Sequence, residues 1–193
     1  HIILAAEHFK KGENEITIQF RAGDMYLNRN QEFHYTLFVP DRAATAIPCF
    51  DQPNLKGEYT LTLHTPLDWK ALANGPLIKE TENENRRSFF FGKTKPVSTY
   101  ILAFAAGKFE TITKSRNGYA MTMFHRETDT LKVARNTEAI FDLHGDALRW
   151  MENYTGIKYP FQKFDFALIP GFQYGGMEHP GAIFYKDASL FLE

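Results

Sequence analysis

Between residues 16 and 20 apolar and polar side chains alternate, with Ile16, Ile18 and Phe20 separated by Thr17 and Gln19. A period of two is that of a strand with one buried face. A strand is therefore expected there, after a turn-like stretch at 10–14 (Lys-Lys-Gly-Glu-Asn). Apolar, β-branched and aromatic runs at 1–5, 33–39, 59–65, 88–91, 100–105, 109–114 and 119–124 predict further strands. Pro66, Asn74-Gly75-Pro76 and Asn117-Gly118 punctuate them. Strands recurring at intervals of about ten residues imply a sandwich or saddle of antiparallel sheets.

The period changes near His125. From 129 to 154, Ala134, Thr137, Phe141, His144, Leu148 and Met151 recur at helical spacing, with Leu131, Ile140 and Tyr154 beside them. Asp129 or Thr130 can cap the start, and Gly156 can stop the end. At 1.5 Å per residue such a helix is about 38 Å long. Its buried face should carry Phe141, Leu148 and Met151, and His144 on that face reads as a satisfied core histidine. Lys132, Arg135, Glu138 and Asp142 form a solvated face. Strands follow at 163–170, where Phe164, Phe166 and Leu168 alternate with Asp165 and Ala167, and at 182–185. The expected fold is α+β and mainly β, with an antiparallel β domain over 1–124 that is incomplete at its start and a second, truncated unit over 125–193.

Composition narrows the function. The 193 residues allow one domain or one and a half, and 44% hydrophobic with 23% charged residues is ordinary for a globular chain. Aromatic content of 15%, including 18 Phe, favours sheet packing and clefts. A net charge of −1 leaves no electrostatic footprint for nucleic acid. No apolar run approaches the roughly 18–20 residues of a membrane span. The single cysteine, Cys49, excludes an internal disulfide framework. The chain begins at His1 rather than at a methionine, so targeting is not read from it.

The chemistry concentrates in Gly175-Gly176-Met177-Glu178-His179-Pro180-Gly181. Two glycines precede a single carboxylate among the aromatic residues Phe172, Tyr174, Phe184 and Tyr185. Glycine lets another backbone lie close, and a fixed carboxylate can hold a cation such as a peptide α-ammonium. Taken alone, the glycines read as a turn and Glu178 as a surface carboxylate, as most glutamates are. His179 is expected to orient this loop through side-chain hydrogen bonds. Some apolar surface around 172–185 is expected to lie open or to be covered by a neighbouring chain. Metal ligation is a separate matter. The seven histidines stand at 1, 8, 34, 64, 125, 144 and 179, and no two are four apart as a helical zinc pair requires. No metal site and no catalytic residue are expected in this chain.

The segment 175–179 resembles the exopeptidase motif of the gluzincin-type (M1) zinc aminopeptidases, GAMEN or GGMEN in one-letter code, with His179 at the family's Asn. Further matches follow the family's order: Ala46-Ile47-Pro48-Cys49-Phe50-Asp51-Gln52-Pro53-Asn54-Leu55-Lys56, residues 59–63 and 67–75, Pro96-Val97-Ser98-Thr99-Tyr100-Ile101-Leu102-Ala103-Phe104, and Tyr154-Thr155-Gly156-Ile157-Lys158-Tyr159-Pro160. Cys49 reads as a small core residue in a rigid turn and Asp51 as ordering the local backbone. The resemblance implies that 125–193 opens a thermolysin-like catalytic domain. It implies a zinc-dependent parent enzyme acting on peptides with a free N-terminus, whose zinc ligands lie outside this chain. It further implies that Gly175, Gly176, Met177, Glu178 and Tyr174 bind substrate and that Glu178 takes the substrate ammonium. The segment would then be a fragment, inactive alone. The Gly-Gly form after Tyr174 resembles the leukotriene A4 hydrolase and aminopeptidase B branch. The alternative is a non-catalytic relative serving as a protein-interaction scaffold.

Overall fold

The computed structural model describes residue 3 and residues 5–193. Among these, the strands are β1 (Leu27–Arg29), β2 (Phe33–Thr36), β3 (Leu61–Thr65), β4 (Lys70–Ala73), β5 (Leu77–Glu82), β6 (Arg87–Phe91), β7 (Phe104–Gly107), β8 (Glu110–Arg116) and β9 (Tyr119–His125). The helix α1 (Thr130–Thr155) follows, then β10 (Asp165–Ile169), β11 (Gly176–Met177) and β12 (Ala182–Lys186). The sheet orders are β1-β2-β7-β4, β3-β6-β5 and β11-β12-β10-β9-β8. The first two are antiparallel. In the third, β10 runs parallel to both β9 and β12. The architecture is the mainly β, α+β one expected.

Parallel neighbours need a long connection, and α1 supplies it between β9 and β10. Its start is capped by Asp129, whose Oδ1 accepts the N–H groups of Leu131 (2.9 Å) and Lys132 (3.1 Å). It ends at Gly156 with φ 68°, a left-handed stop that glycine adopts without Cβ strain.

Alternation along the central strands builds layers. Phe166 and Leu168 of β10 and Met121 and Met123 of β9 meet Ile140, Phe141 and Leu148 of α1. The opposite side chains, Phe124, Ala167, Ile169, Ala182 and Phe184, pack on Tyr35, Leu37, Leu72, Ala103 and Ala105. Beyond these, Trp69, Ala71, Ala73 and Ala106 cover Phe89 and Phe91. Strand β4 is thus buried on both faces, which explains its run of small apolar residues.

Several expectations shift. Residues 16–20 form no strand, and Ile16, Ile18 and Phe20 are 53%, 40% and 53% exposed. A strand requires a neighbour to pair with, and none is present among the described residues. The strand expected over 1–5 lies partly outside the described residues, and Ile3 and Ala5 carry none. Residues 99–101 form a short 3-10 turn, so the strand expected over 100–105 starts later, at Phe104. Strands β1, β4, β5 and β11 were not anticipated.

On α1, Phe141 and Leu148 are buried, but Met151 is 48% exposed. The inward stripe runs on from Leu148 to Glu152, not to Met151. Glu152 accepts hydrogen bonds from the Tyr119 hydroxyl and from Tyr159 N, the latter at 2.8 Å. These bonds, with Lys158, hold its carboxyl down at about 2. A polar anchor therefore occupies the position expected for methionine.

Candidate functional site: an open sheet edge and its mounting

The segment after β10 turns at Gly171 and passes Phe172, which is 1% exposed, before Tyr174 emerges at 42%. Gly175 O accepts Lys186 N at 3.1 Å, starting a short pairing that sets Gly176 opposite Tyr185 and Met177 opposite Phe184. Strand β11 is the last of its sheet, so its other edge carries no partner strand among the described residues. A Cβ at Gly176 would come 3.0 Å from the Tyr185 ring, so internal packing favours glycine there. At Gly175 a Cβ would meet nothing within 4 Å. Met177 packs partly buried on the core that holds Phe184. Glu178 then faces solvent and takes part in none of the ion pairs among the described residues. Of the apolar residues around it only Tyr174 is open, because Phe172 and Phe184 complete the core between the sheets.

From His179 onward the surroundings invert. Its ring is fully buried and lies edge-on to Phe184 at 4.7 Å. Neither ring nitrogen has a hydrogen-bond partner, so His179 does not order the loop by hydrogen bonds as expected; it does so as a packed ring. Burial pushes its pKa down to about 3. The nearby Ala182 backbone offsets a little of this without reaching hydrogen-bonding geometry.

Residues 179–182 form a tight turn closed by Ala182 N donating to His179 O at 3.1 Å. Pro180 holds the second position and Gly181, with φ 71°, the third, which is the type II arrangement. Asn74, at the end of β4, donates to Pro180 O (2.9 Å) and Ile101 O (3.0 Å), and its Oδ1 accepts Ala103 N (2.6 Å). Gly181 N donates to the Tyr159 hydroxyl (3.3 Å), which donates to Lys163 O (3.3 Å). Lys163 Nζ donates to Gly181 O and to Asp165 Oδ2, the latter at 3.0 Å. Burial lowers the Lys163 pKa, and Asp165 partly restores it. Asn74, Tyr159 and Lys163 were not anticipated as site residues. Two lie in matched segments, but only the tertiary hydrogen bonds reveal what they hold.

The other matched segments also touch one another. Asp51 accepts Ala44 N (3.0 Å) and the Thr99 hydroxyl (2.6 Å), and the Ser98 hydroxyl donates to Pro53 O (2.5 Å). Cys49 packs partly buried on Phe38, Ala43 and Ala46. His144 is a satisfied core residue, its ring nitrogens 2.7 Å from Ile140 O and 3.2 Å from the Tyr185 hydroxyl.

Among the described residues no three His, Cys, Asp or Glu side chains converge on a point that could hold a metal ion. The groups present do not fit a zinc ion. A cavity of about 320 Å³ lies between the sheets, walled in part by Lys70, Glu80, Arg87, Lys163 and Asp165; neither Glu178 nor the two glycines line it. No helix among the described residues is long and apolar enough to cross a membrane.

Residues 2–101 match the family model described as Peptidase M1 N-terminal domain, and residues 139–193 match the Peptidase family M1 domain. Glutamyl aminopeptidase of Sus scrofa is 34% identical over 159 residues, covering 80% of this chain and 16% of that protein. Human endoplasmic reticulum aminopeptidase 1 is 31% identical over 159 residues, covering 82% of this chain and 17% of its own length. Aminopeptidase A of Gloydius brevicauda is 31% identical over 212 aligned positions, covering 100% of this chain and 21% of its own. The chain thus spans about a fifth or less of these relatives.

Proposed function

The chain belongs to peptidase family M1, and from that membership we propose that it is part of an aminopeptidase that releases N-terminal residues from peptides. Its own share of the work is recognition of the substrate N-terminus. The observation that carries this reading is the unpaired edge of β11, which ends at a solvent-facing, unpaired carboxylate. An extended peptide can add to such an edge through main-chain hydrogen bonds. Glu178 stands where the substrate peptide's first residue would present its ammonium, which is mostly charged at neutral pH. Gly175 and Gly176 keep the approach free of side chains, Tyr174 walls it, and Met177 anchors the strand to the core.

Zinc, when bound to such an enzyme, would supply polarisation of the scissile carbonyl and activation of water, held by residues other than these. The 193 residues alone should accordingly be inactive. The relatives named above are called glutamyl aminopeptidase, aminopeptidase A and endoplasmic reticulum aminopeptidase 1. The Gly175-Gly176 pair after Tyr174 resembles the leukotriene A4 hydrolase and aminopeptidase B branch, and the activity we propose is the coarser one, removal of N-terminal residues. We also propose two units along the chain. A division at 124/125 cuts β9, whose partners β8 and β10 lie in the same sheet. Sheet continuity favours drawing the junction ahead of β8, near residue 108.

The test compares peptides with free and acetylated N-termini in the intact enzyme. Glu178→Ala should remove the preference for the free form and leave bound zinc unchanged. Equal losses on both peptides would end this reading.

A further inference from the structure

We infer that Asn74 and Tyr159 are positioning residues for N-terminus recognition, because together they fix the central peptide of the turn that follows Glu178 and so help hold the backbone that carries it. The inference rests on the reading of Glu178 given above. The Pro180–Gly181 peptide is the central unit of the turn, and flipping it would convert type II geometry to type I. Both of its polar groups are taken. Asn74 Nδ2 donates to Pro180 O at 2.9 Å, and Gly181 N donates to the Tyr159 hydroxyl at 3.3 Å. The two holders come from opposite sides of the junction, one from the end of β4 and one from the segment between α1 and β10.

Each holder is itself immobilised. Asn74 is 8% exposed, and it spends its two amide hydrogens and its carbonyl oxygen on Pro180, Ile101 and Ala103. Only an asparagine supplies two donors and an acceptor at that reach. Aspartate has no donor, and glutamine is one methylene too long. The Tyr159 hydroxyl is fixed from behind by Lys163 O. Gly181 closes the joint, since a Cβ there would sit 2.6 Å from Asn74 O.

Glu178 is one residue from this turn, and its orientation has two determinants: the β11 pairing before it and the buried His179 ring after it. With the turn locked, the backbone that carries the carboxylate is fixed at the end of the open edge. A preorganised anion binds an ammonium better than one that must be ordered on binding. The segments 67–75, 154–160 and 175–181, far apart in sequence, therefore converge on one peptide unit.

The experiment uses the intact enzyme with Asn74→Asp, Tyr159→Phe and Glu178→Ala, each assayed on one peptide with a free N-terminus and on its acetylated form. The readout is the ratio of the two kcat/KM values, with bound zinc measured alongside. A general loosening of the fold lowers both rates together and leaves the ratio alone. Misplacement of about 1 Å at a binding group can cost on the order of a hundredfold, so the expected fall in the ratio is about tenfold or more. It should appear mainly as a higher KM for the free peptide. Tyr159→Phe keeps the ring and removes one hydroxyl, so it stands as a test even where Asn74→Asp fails to fold. If Glu178→Ala abolishes the preference while both other variants retain the wild-type ratio, the positioning role is wrong and the reading of Glu178 stands. If Glu178→Ala itself leaves the ratio unchanged, both fall.

Discussion

Residues 175–178 and 179–182 adjoin in the chain and differ in nearly every physical respect. The first four lie at an unpaired sheet edge and face solvent, apart from the anchoring Met177. The second four include two fully buried residues and a turn whose central peptide is bonded at both ends. Nothing within the described protein demands glycine at 175 or a carboxylate at 178, whereas backbone conformation and close packing demand glycine at 181. Side chains whose identity the fold does not explain are the ones to which a partner molecule gives meaning. Those the fold does explain hold that surface still.

The comparison breaks most visibly at Glu178. Glu178→Ala in the intact enzyme should cost about 2–5 kcal/mol on peptides with a free N-terminus, as loss of one partner from a largely desolvated charge pair does. That is roughly 30-fold to 4,000-fold in kcat/KM, at about 1.4 kcal/mol per factor of ten. Stability should stay within about 0.5 kcal/mol, the usual range for an exposed substitution. A large drop in the unfolding midpoint would place Glu178 with the mounting rather than with the working edge.

Gly181→Ala should show the opposite pattern. A left-handed backbone costs a non-glycine residue roughly 1–2 kcal/mol, and the new Cβ meets Asn74 O at 2.6 Å, a backbone atom that cannot swing aside. The expected loss is about 3 kcal/mol of folding stability, given the added overpacking. Denaturant titration checks it, and an unchanged midpoint would mean that the turn is not held as described.

His179 gives the mounting a pH signature. Its folded pKa is about 3, against about 6.5 in an unfolded chain. Between those values the unfolded chain binds a proton that the folded one refuses, so stability rises with pH through this window. On acidification from 6.5 to 5 the group should cost about 2 kcal/mol, at about 1.4 kcal/mol per unit. His144 and His125 are also lowered by burial and add to the slope. In His179→Asn the slope of unfolding free energy against pH should flatten by about 1.4 kcal/mol per unit over this window. The full wild-type slope in that variant would show that His179 is not the buried neutral group.

Much of this was legible beforehand, and the exceptions share a cause. The helix, its Asp129 cap and its Gly156 stop follow from a period and two local residues, and they are where expected. Strand β4 escaped because a strand buried on both faces shows no alternation. Strand β11 escaped because two residues carry no period at all. Residues 16–20 show the reverse fault: their alternation is that of a strand, but pairing is a property of two segments, and one segment cannot reveal it. The same limit applies to the site. Glycines and a lone carboxylate stand out in the text, whereas Asn74 and Tyr159 act only through hydrogen bonds to residues distant in sequence.

The smallest effect separates the two halves most cleanly. Gly175 is not among the glycines with positive φ, and a Cβ built on it meets open space. An alanine there keeps an allowed backbone and narrows the unfolded ensemble, which stabilises a protein by about 0.4–1 kcal/mol. If folding were the only constraint on this position, Gly175→Ala would be a harmless improvement. A methyl group at the entrance of a strand-like substrate, however, stands where the incoming backbone must lie. The variant should therefore melt slightly higher than wild type and turn over peptides more slowly, with the loss in KM and with bound zinc unchanged. A rise in stability with full activity would show that no backbone passes Gly175, and the open edge of β11 would lose its role as the substrate's track.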